Sequence, residues 1–173
     1  MQDVLIVVDM QNDYIDGSLG TPEAMQIVPK VKKKIENFKG TVLFTRDTHE
    51  DDYLDTQEGR NLPIKHCIRG TKGWEIRAEL DALRTTDTID KVTLGSSELG
   101  MILRDVYAEE EIRSITFVGL CTDISVVSNV MIAKAFLPEV PIIVDATCCA
   151  GVTVESHMNA LQVMEGCQVQ ILV

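Results

Sequence analysis

Six short apolar runs punctuate the chain, and stretches with helical spacing lie between them. Val4 to Val8 (VLIVV) is continuous and closes on Asp9, the pattern of a parallel strand buried on both faces with a carboxylate at its carboxyl end. From Pro22 to Lys39, the residues Ile27, Val31, Ile35 and Phe38 recur at helical spacing. The lysines of this stretch fall mostly on the other face, and Gly40 stands where helices end. Thr41 to Thr45 predicts a second strand running into Arg46-Asp47. Thr48 to Gly73 is polar, irregular and holds Pro63; in a compact domain a loop of this length is usually functional or mobile. Trp74 to Leu83 predicts a short helix, Asp87 to Lys91 a third strand, and Glu98 to Tyr107 a helix.

Ser114 to Val118 is β-branched or aromatic at nearly every position. Gly119 then allows a sharp exit, and Thr122 or Asp123 can cap a helix carrying Ile124 to Phe136. Pro141 to Val144 predicts a strand ending in Asp145. Thr153 to Met164 predicts a helix with Val154, Met158, Leu161 and Met164 facing inward, and Val169 to Val173 closes the sheet. No repeat, low-complexity segment or linker interrupts the alternation. It predicts one domain over residues 1–173, an α/β fold with a three-layer, doubly wound parallel sheet of about six strands and helices on both faces.

At 173 residues the chain is long enough to bury a real core, and 45% hydrophobic against 25% charged residues is an ordinary globular balance. A formal net charge of −11 repels phosphate backbones, which argues against nucleic acid and, more weakly, against an anionic membrane surface as partners. No stretch approaches the ~20 apolar residues of a membrane span. Asp3 follows Met-Gln without a basic region before an apolar run, so no signal peptide is expected. The five cysteines are odd in number and follow no disulfide framework, so a reducing cytoplasm is the expected location. Adjacent Cys148 and Cys149 are expected to serve as small packing residues.

Chemistry-bearing groups gather at the predicted strand ends. Asp9, Lys91 and the Cys121–Ser125 turn form one set. A partly desolvated carboxylate can act as general base for a neighbouring thiol or hydroxyl, and a lysine beside it stabilises an anionic nucleophile. Each alone has a plainer explanation, Asp9 as a turn cap and Lys91 as a solvated strand end. The second set is Asp47, His49 and His66, with Glu58 between them. An Asp-x-His pair after a strand and a later histidine can close on one ion, and nitrogen plus carboxylate oxygen suits zinc, manganese or iron. The plainer alternative is a polar loop with two hydrogen-bonded histidines. Asp51, Asp52 and Asp55 are expected to be solvated, and His157 to be structural or solvated.

VLIVVDMQNDY, TRDTH, LPIKHCIRGTKGWE, a lysine after the third strand and VGLCTDISV, in this order, resemble the isochorismatase-like cysteine hydrolases, with the nicotinamidase branch nearest. The resemblance spans almost the whole chain. It implies an Asp–Lys–Cys triad in which Asp9 and Lys91 match the first two members and Ser125 stands at the nucleophilic cysteine. It also implies an oxyanion hole from the backbone N–H groups of Cys121 and Ser125, often with a cis peptide at the position of Leu120–Cys121. Asp47, His49 and His66 match the nicotinamidase metal triad, and Glu58 falls where some relatives supply a fourth ligand. Tyr14 replaces the usual phenylalanine, Leu62 stands where several nicotinamidases have tryptophan, and Tyr14, Leu19 and Leu62 fall in the substrate pocket.

The implied activity is hydrolysis of an aromatic carboxamide, nicotinamide to nicotinate plus ammonia, by a metal-anchored homo-oligomer that binds neither nucleic acid nor membrane. The rivals are a family hydrolase acting on another amide or on isochorismate, and a catalytically dead binding protein that keeps the pocket. A serine hydroxyl forms its anion far less readily than a thiol. Three explanations of Ser125 follow in order: an engineered Cys→Ser change that traps a ligand, a natural variant with weak or lost activity, and replacement of the nucleophile by Cys121. Against the last, four residues along a turn carry the sulfur far from Asp9 and Lys91.

Overall fold

The computed structural model describes residues 1–173. Six parallel strands form one sheet in the order β3-β2-β1-β4-β5-β6: β1 (Gln2–Val8), β2 (Thr41–Asp47), β3 (Thr88–Lys91), β4 (Ile112–Leu120), β5 (Ile142–Ala150) and β6 (Gln170–Leu172). The continuous apolar run of β1 is explained by its central place. Val4, Ile6 and Val8 enter one core and Leu5 and Val7 the other, so both faces of the strand are dry. The first core packs against α5 (Ser97–Glu109), α6 (Val127–Phe136) and α7 (Val154–Gly166). The second packs against α1 (Asn12–Ile15), α2 (Pro22–Asn37) and α4 (Ala78–Asp81). The fold is a doubly wound parallel sheet with helices around it, as the alternation predicts.

Helix α2 follows its sequence signals closely. Thr21 caps it through a bond from Ala24 N–H, Pro22 opens it, and Ile27, Val31 and Ile35 are buried. Elsewhere tertiary contacts override the local pattern. The helix expected over Trp74–Leu83 shrinks to Ala78–Asp81. Trp74 is held away from helical geometry by its Nε1 bond to Thr48 Oγ1 at 2.9 Å and by the Arg46 guanidinium 3.6 Å over its ring, while Ile76 bridges Gln11. The irregular segment contains a 3₁₀ turn, Tyr53–Asp55, and the short helix α3 (Gln57–Asn61). In α7, Leu161 and Met164 are buried as expected, but Val154 and Met158 are exposed. The buried stripe of α7 is centred by Ala160, Leu161 and Met164, and at 100° per residue Val154 and Met158 lie about 70° and 110° around from it.

The sheet order reverses direction between β1 and β4, and that crevice is where α/β sheets receive ligands. Asp9 follows β1 directly, and the Cys121–Ser125 turn follows β4 directly. Gly119 permits the two strands to close there. Its φ is +121°, and a Cβ on it would sit 2.1 Å from the Val8 carbonyl oxygen.

Candidate active site

Four strand ends converge on one ammonium group. Lys91 Nζ stands 2.7 Å from Asp9 Oδ2, 3.1 Å from Asp47 Oδ1 and 3.4 Å from Ser125 Oγ, and it also donates to the Thr93 carbonyl at 3.2 Å. Asp9, Asp47, Lys91 and Ser125 are all at least 96% buried. Register explains part of this: Asp47 and Lys91 are ladder partners on β2 and β3. Asp9 leaves β1 with φ at 46°, an uncommon conformation for a residue other than glycine. Thr45 holds it, accepting from Asp9 N–H at 3.2 Å and donating its hydroxyl to Asp9 Oδ1 at 2.7 Å. Lys91 meets Asp9 Oδ2 at ion-pair distance and no other donor reaches this oxygen, so one of its lone pairs keeps a free acceptor position.

The charges of these groups follow from their surroundings. Burial pushes the Asp9 carboxyl above the usual carboxylate range and the Asp47 charge adds to the push, against Lys91 and Thr45. Burial would lower Lys91, but Asp9 and Asp47 outweigh it and hold the ammonium protonated. Asp47 goes the other way: despite burial, hydrogen bonds and charge from His49, Lys91 and Tyr14 hold it well below the usual range.

Beyond Leu120 the peptide to Cys121 is cis, and the chain enters a π-helical turn, Thr122–Val126, that runs into α6. The Cys121 carbonyl accepts from Ile124 N–H and Val126 N–H, both at 3.1 Å, which fixes the turn. Neither Thr122 nor Asp123 caps it. Thr122 pairs instead with His157 Nδ1, and Asp123 accepts from Val152 N–H. Asn129, one turn along α6, donates to the Ser125 carbonyl at 2.8 Å and accepts from Ser96 N–H at 2.9 Å, tying the turn to the loop after β3. Burial, then the charges of Asp123, Asp9 and Asp47, push the Cys121 thiol up to about 12, which makes it a poor nucleophile.

The second set also converges. Asp47 Oδ2 is 3.1 Å from His49 Nε2 and 3.9 Å from His66 Nε2, while Glu58 Oε1 is 3.6 Å and 4.0 Å from the same nitrogens. One ligand atom from each of the four residues lies within 4.8 Å of all the others. His66 Nδ1 meets the Ile64 carbonyl at 2.8 Å, which assigns the proton to Nδ1 and turns the Nε2 lone pair toward the cluster. These donors fit a divalent cation. Asp51, Asp52 and Asp55 are exposed and stand apart.

Supporting residues that the sequence did not single out hold this set. Gln11 clamps the Asp47 backbone, accepting from its N–H at 2.7 Å and donating to its carbonyl at 2.8 Å. Asp13 accepts from Cys67 N–H at 2.8 Å and so pins the histidine loop. Both belong to the VDMQNDY stretch, and polar residues directly after a buried strand were the available signal. Tyr14 donates to Asp47 Oδ2 at 2.5 Å.

A cavity of about 290 Å³ adjoins both sets, with Tyr14, Leu19, Leu62, His66, Cys121 and Ile124 among its walls. Its lining is mainly apolar, as small-molecule sites are. A wider lysine-lined groove of about 670 Å³, beside Lys30, Lys34 and Cys148, lies away from all of these groups.

Fold and site together define a doubly wound α/β protein with a mainly apolar cavity at the reversal of its strand order. The isochorismatase domain model matches residues 3–172, and the chain belongs to that family. Among solved structures, it is similar to the pyrazinamidase of Pyrococcus horikoshii in complex with zinc (25% identity, 99% of each chain, TM-score 0.82). The nicotinamidase/pyrazinamidase of Bacillus subtilis is 26% identical over 100% of each chain, with a TM-score of 0.81. N-carbamoylsarcosine amidase of Thermoplasma acidophilum is 29% identical over 99% of this chain and 96% of its own, with a TM-score of 0.76. No curated protein matches the chain.

Proposed function

We propose that this chain is a nicotinamidase-type amidohydrolase scaffold whose nucleophile position is held by serine. The observation that carries the reading is the pairing of Lys91 with Asp9 and Ser125 beside the Asp47–His49–Glu58–His66 cluster. Similarity to the nicotinamidase/pyrazinamidase and amidase structures supports an amide substrate, and a zinc-bound pyrazinamidase among them supports a divalent cation. Asp47, His49, His66 and Glu58 would hold the ion, which when bound supplies a Lewis-acidic anchor for a substrate ring nitrogen.

With cysteine at residue 125, Asp9 takes the thiol proton onto its free acceptor position. The thiolate attacks the amide carbon and an S–C bond forms, with the oxyanion meeting the backbone N–H groups of residues 121 and 125. The C–N bond breaks as Asp9 returns the proton to departing ammonia. Water, deprotonated by Asp9, then cleaves the thioester and releases the acid. Lys91 keeps its charge beside these anions throughout. With serine the first step fails for the most part, because the hydroxyl holds its proton too tightly for a neighbouring carboxylate to remove. The test is ammonia release from nicotinamide by the Ser125→Cys protein supplied with zinc. Turnover that a chelator abolishes supports the reading, and no turnover with zinc present overturns it.

Ser125 itself favours a second reading, a binding protein that keeps the pocket. Calorimetry with nicotinamide and nicotinate, together with absent turnover after Ser125→Cys, would select it.

A further inference from the structure

The turn that carries residue 125 is held from outside by a segment to which the mechanism above gives no role. Thr122, at 0% exposure, has one side-chain hydrogen bond, 2.7 Å to Nδ1 of His157 on α7. Its neighbour Asp123 accepts from Val152 N–H at 3.0 Å. Gly151 closes the contact. A Cβ there would stand 2.9 Å from His157 Cβ and 3.0 Å from Asp123 Oδ1. Residues 151–157 therefore grip two successive side chains of the turn, and Gly151 and Val152 also line the cavity with Cys121 and Ile124.

We infer that His157 is a positioning residue: through Thr122 it holds the Cys121–Ser125 backbone in the geometry that acyl transfer requires. The inference rests on the proposed amidohydrolase reading for its catalytic consequence, though not for its structural one. Partial burial keeps His157 below the ordinary imidazole range, so at neutral pH the ring is uncharged and its Nδ1 can accept the Thr122 hydroxyl proton. A buried threonine hydroxyl that loses this acceptor has no other side-chain bond to keep it in place. Small displacements of an oxyanion turn are costly, since a misplacement of about 1 Å can lower a rate on the order of a hundredfold.

Three substitutions separate positioning from general support. His157→Leu and Thr122→Val each delete the bond, and Thr122→Val does so with little change of shape. His157→Asn retains an acceptor near the place of Nδ1. In the Ser125→Cys background, the deletions are expected to lower kcat about tenfold with KM nearly unchanged, and His157→Asn to retain most of kcat. The two deletions combined should cost no more than either alone, because they remove one shared bond. Additive losses, or a loss with His157→Asn equal to that with His157→Leu, overturn the inference.

Amide hydrogen exchange on the protein with Ser125 in place gives a readout independent of turnover. The deletions should speed exchange at residues 121–126 about tenfold relative to the rest of the sheet, and His157→Asn should not. Unchanged exchange there overturns the inference whether or not Ser125→Cys is active. Absent turnover by Ser125→Cys alone overturns the amidohydrolase reading and leaves exchange to decide the role of His157.

Discussion

Lys91 Nζ lies 3.1 Å from Asp47 Oδ1, and the other oxygen of the same carboxylate faces His49, His66 and Tyr14. One buried aspartate thus joins the Lys91 site to the His49–Glu58–His66 cluster. Asp9 is the second carboxylate on this lysine, so a single ammonium neutralises two buried acids.

Lys91→Met is therefore expected to destabilise the fold by about 3–5 kcal/mol, the usual cost of stranding a buried charge. Adding Asp9→Asn should recover part of that loss, because one of the stranded charges disappears. Urea denaturation of the single and double variants checks both expectations. A loss below about 1 kcal/mol for Lys91→Met would mean that these acids are neutral or hydrated in the folded state.

The metal-ligand geometry predicts one zinc site whose occupancy stabilises the protein. At a free zinc concentration of about 100 times Kd, the gain is about 2.7 kcal/mol, read as a rise in Tm. His66→Ala removes a donor already oriented by the Ile64 carbonyl and should abolish most of the rise. Bound-metal analysis of dialysed protein provides the stoichiometry. An equal zinc-induced rise in the His66→Ala protein would place the ion elsewhere.

Asp145 gives a pH dependence whose sign is fixed. Burial raises its carboxyl, but the Lys34 ammonium at 2.8 Å and the Thr147 hydroxyl outweigh burial and lower it below the ordinary 3.8. A lowered folded-state value contributes stability that is present above 3.8 and is lost as pH falls through the folded value. Tm should accordingly drop with acidification below that point, and Asp145→Asn should flatten part of the drop. The comparison needs only thermal melts at a few acidic pH values. An identical acid slope in the two proteins would remove Asp145 from the account.

Much of this site could be read from the chain because its groups stand where apolar runs stop. VLIVV ending in Asp9 and TVLFT leading to Asp47 announce strand ends, and strand ends of a parallel sheet face the ligand side. The pairing of Asp47 with Lys91 could not be read, since it depends on the register of β2 against β3. Gln11, Asp13 and Asn129 were missed for a related reason. Their work is to bind backbone groups of distant segments, and no local periodicity marks such a task. The expected helix at Trp74 failed because a stacked guanidinium and one indole hydrogen bond outweigh a few residues of helix propensity. Ser125, which the resemblance places at the nucleophile position, is the side chain of the turn that Lys91 reaches.

Residue 125 is the proposed nucleophile position, and serine there is proposed to suppress amide hydrolysis. Ammonia release from nicotinamide by the protein with Ser125 and by its Ser125→Cys variant, at equal enzyme and zinc concentrations, tests it most directly. Near-zero release by the first and clear turnover by the second is the predicted result. Equal rates in the two would contradict it.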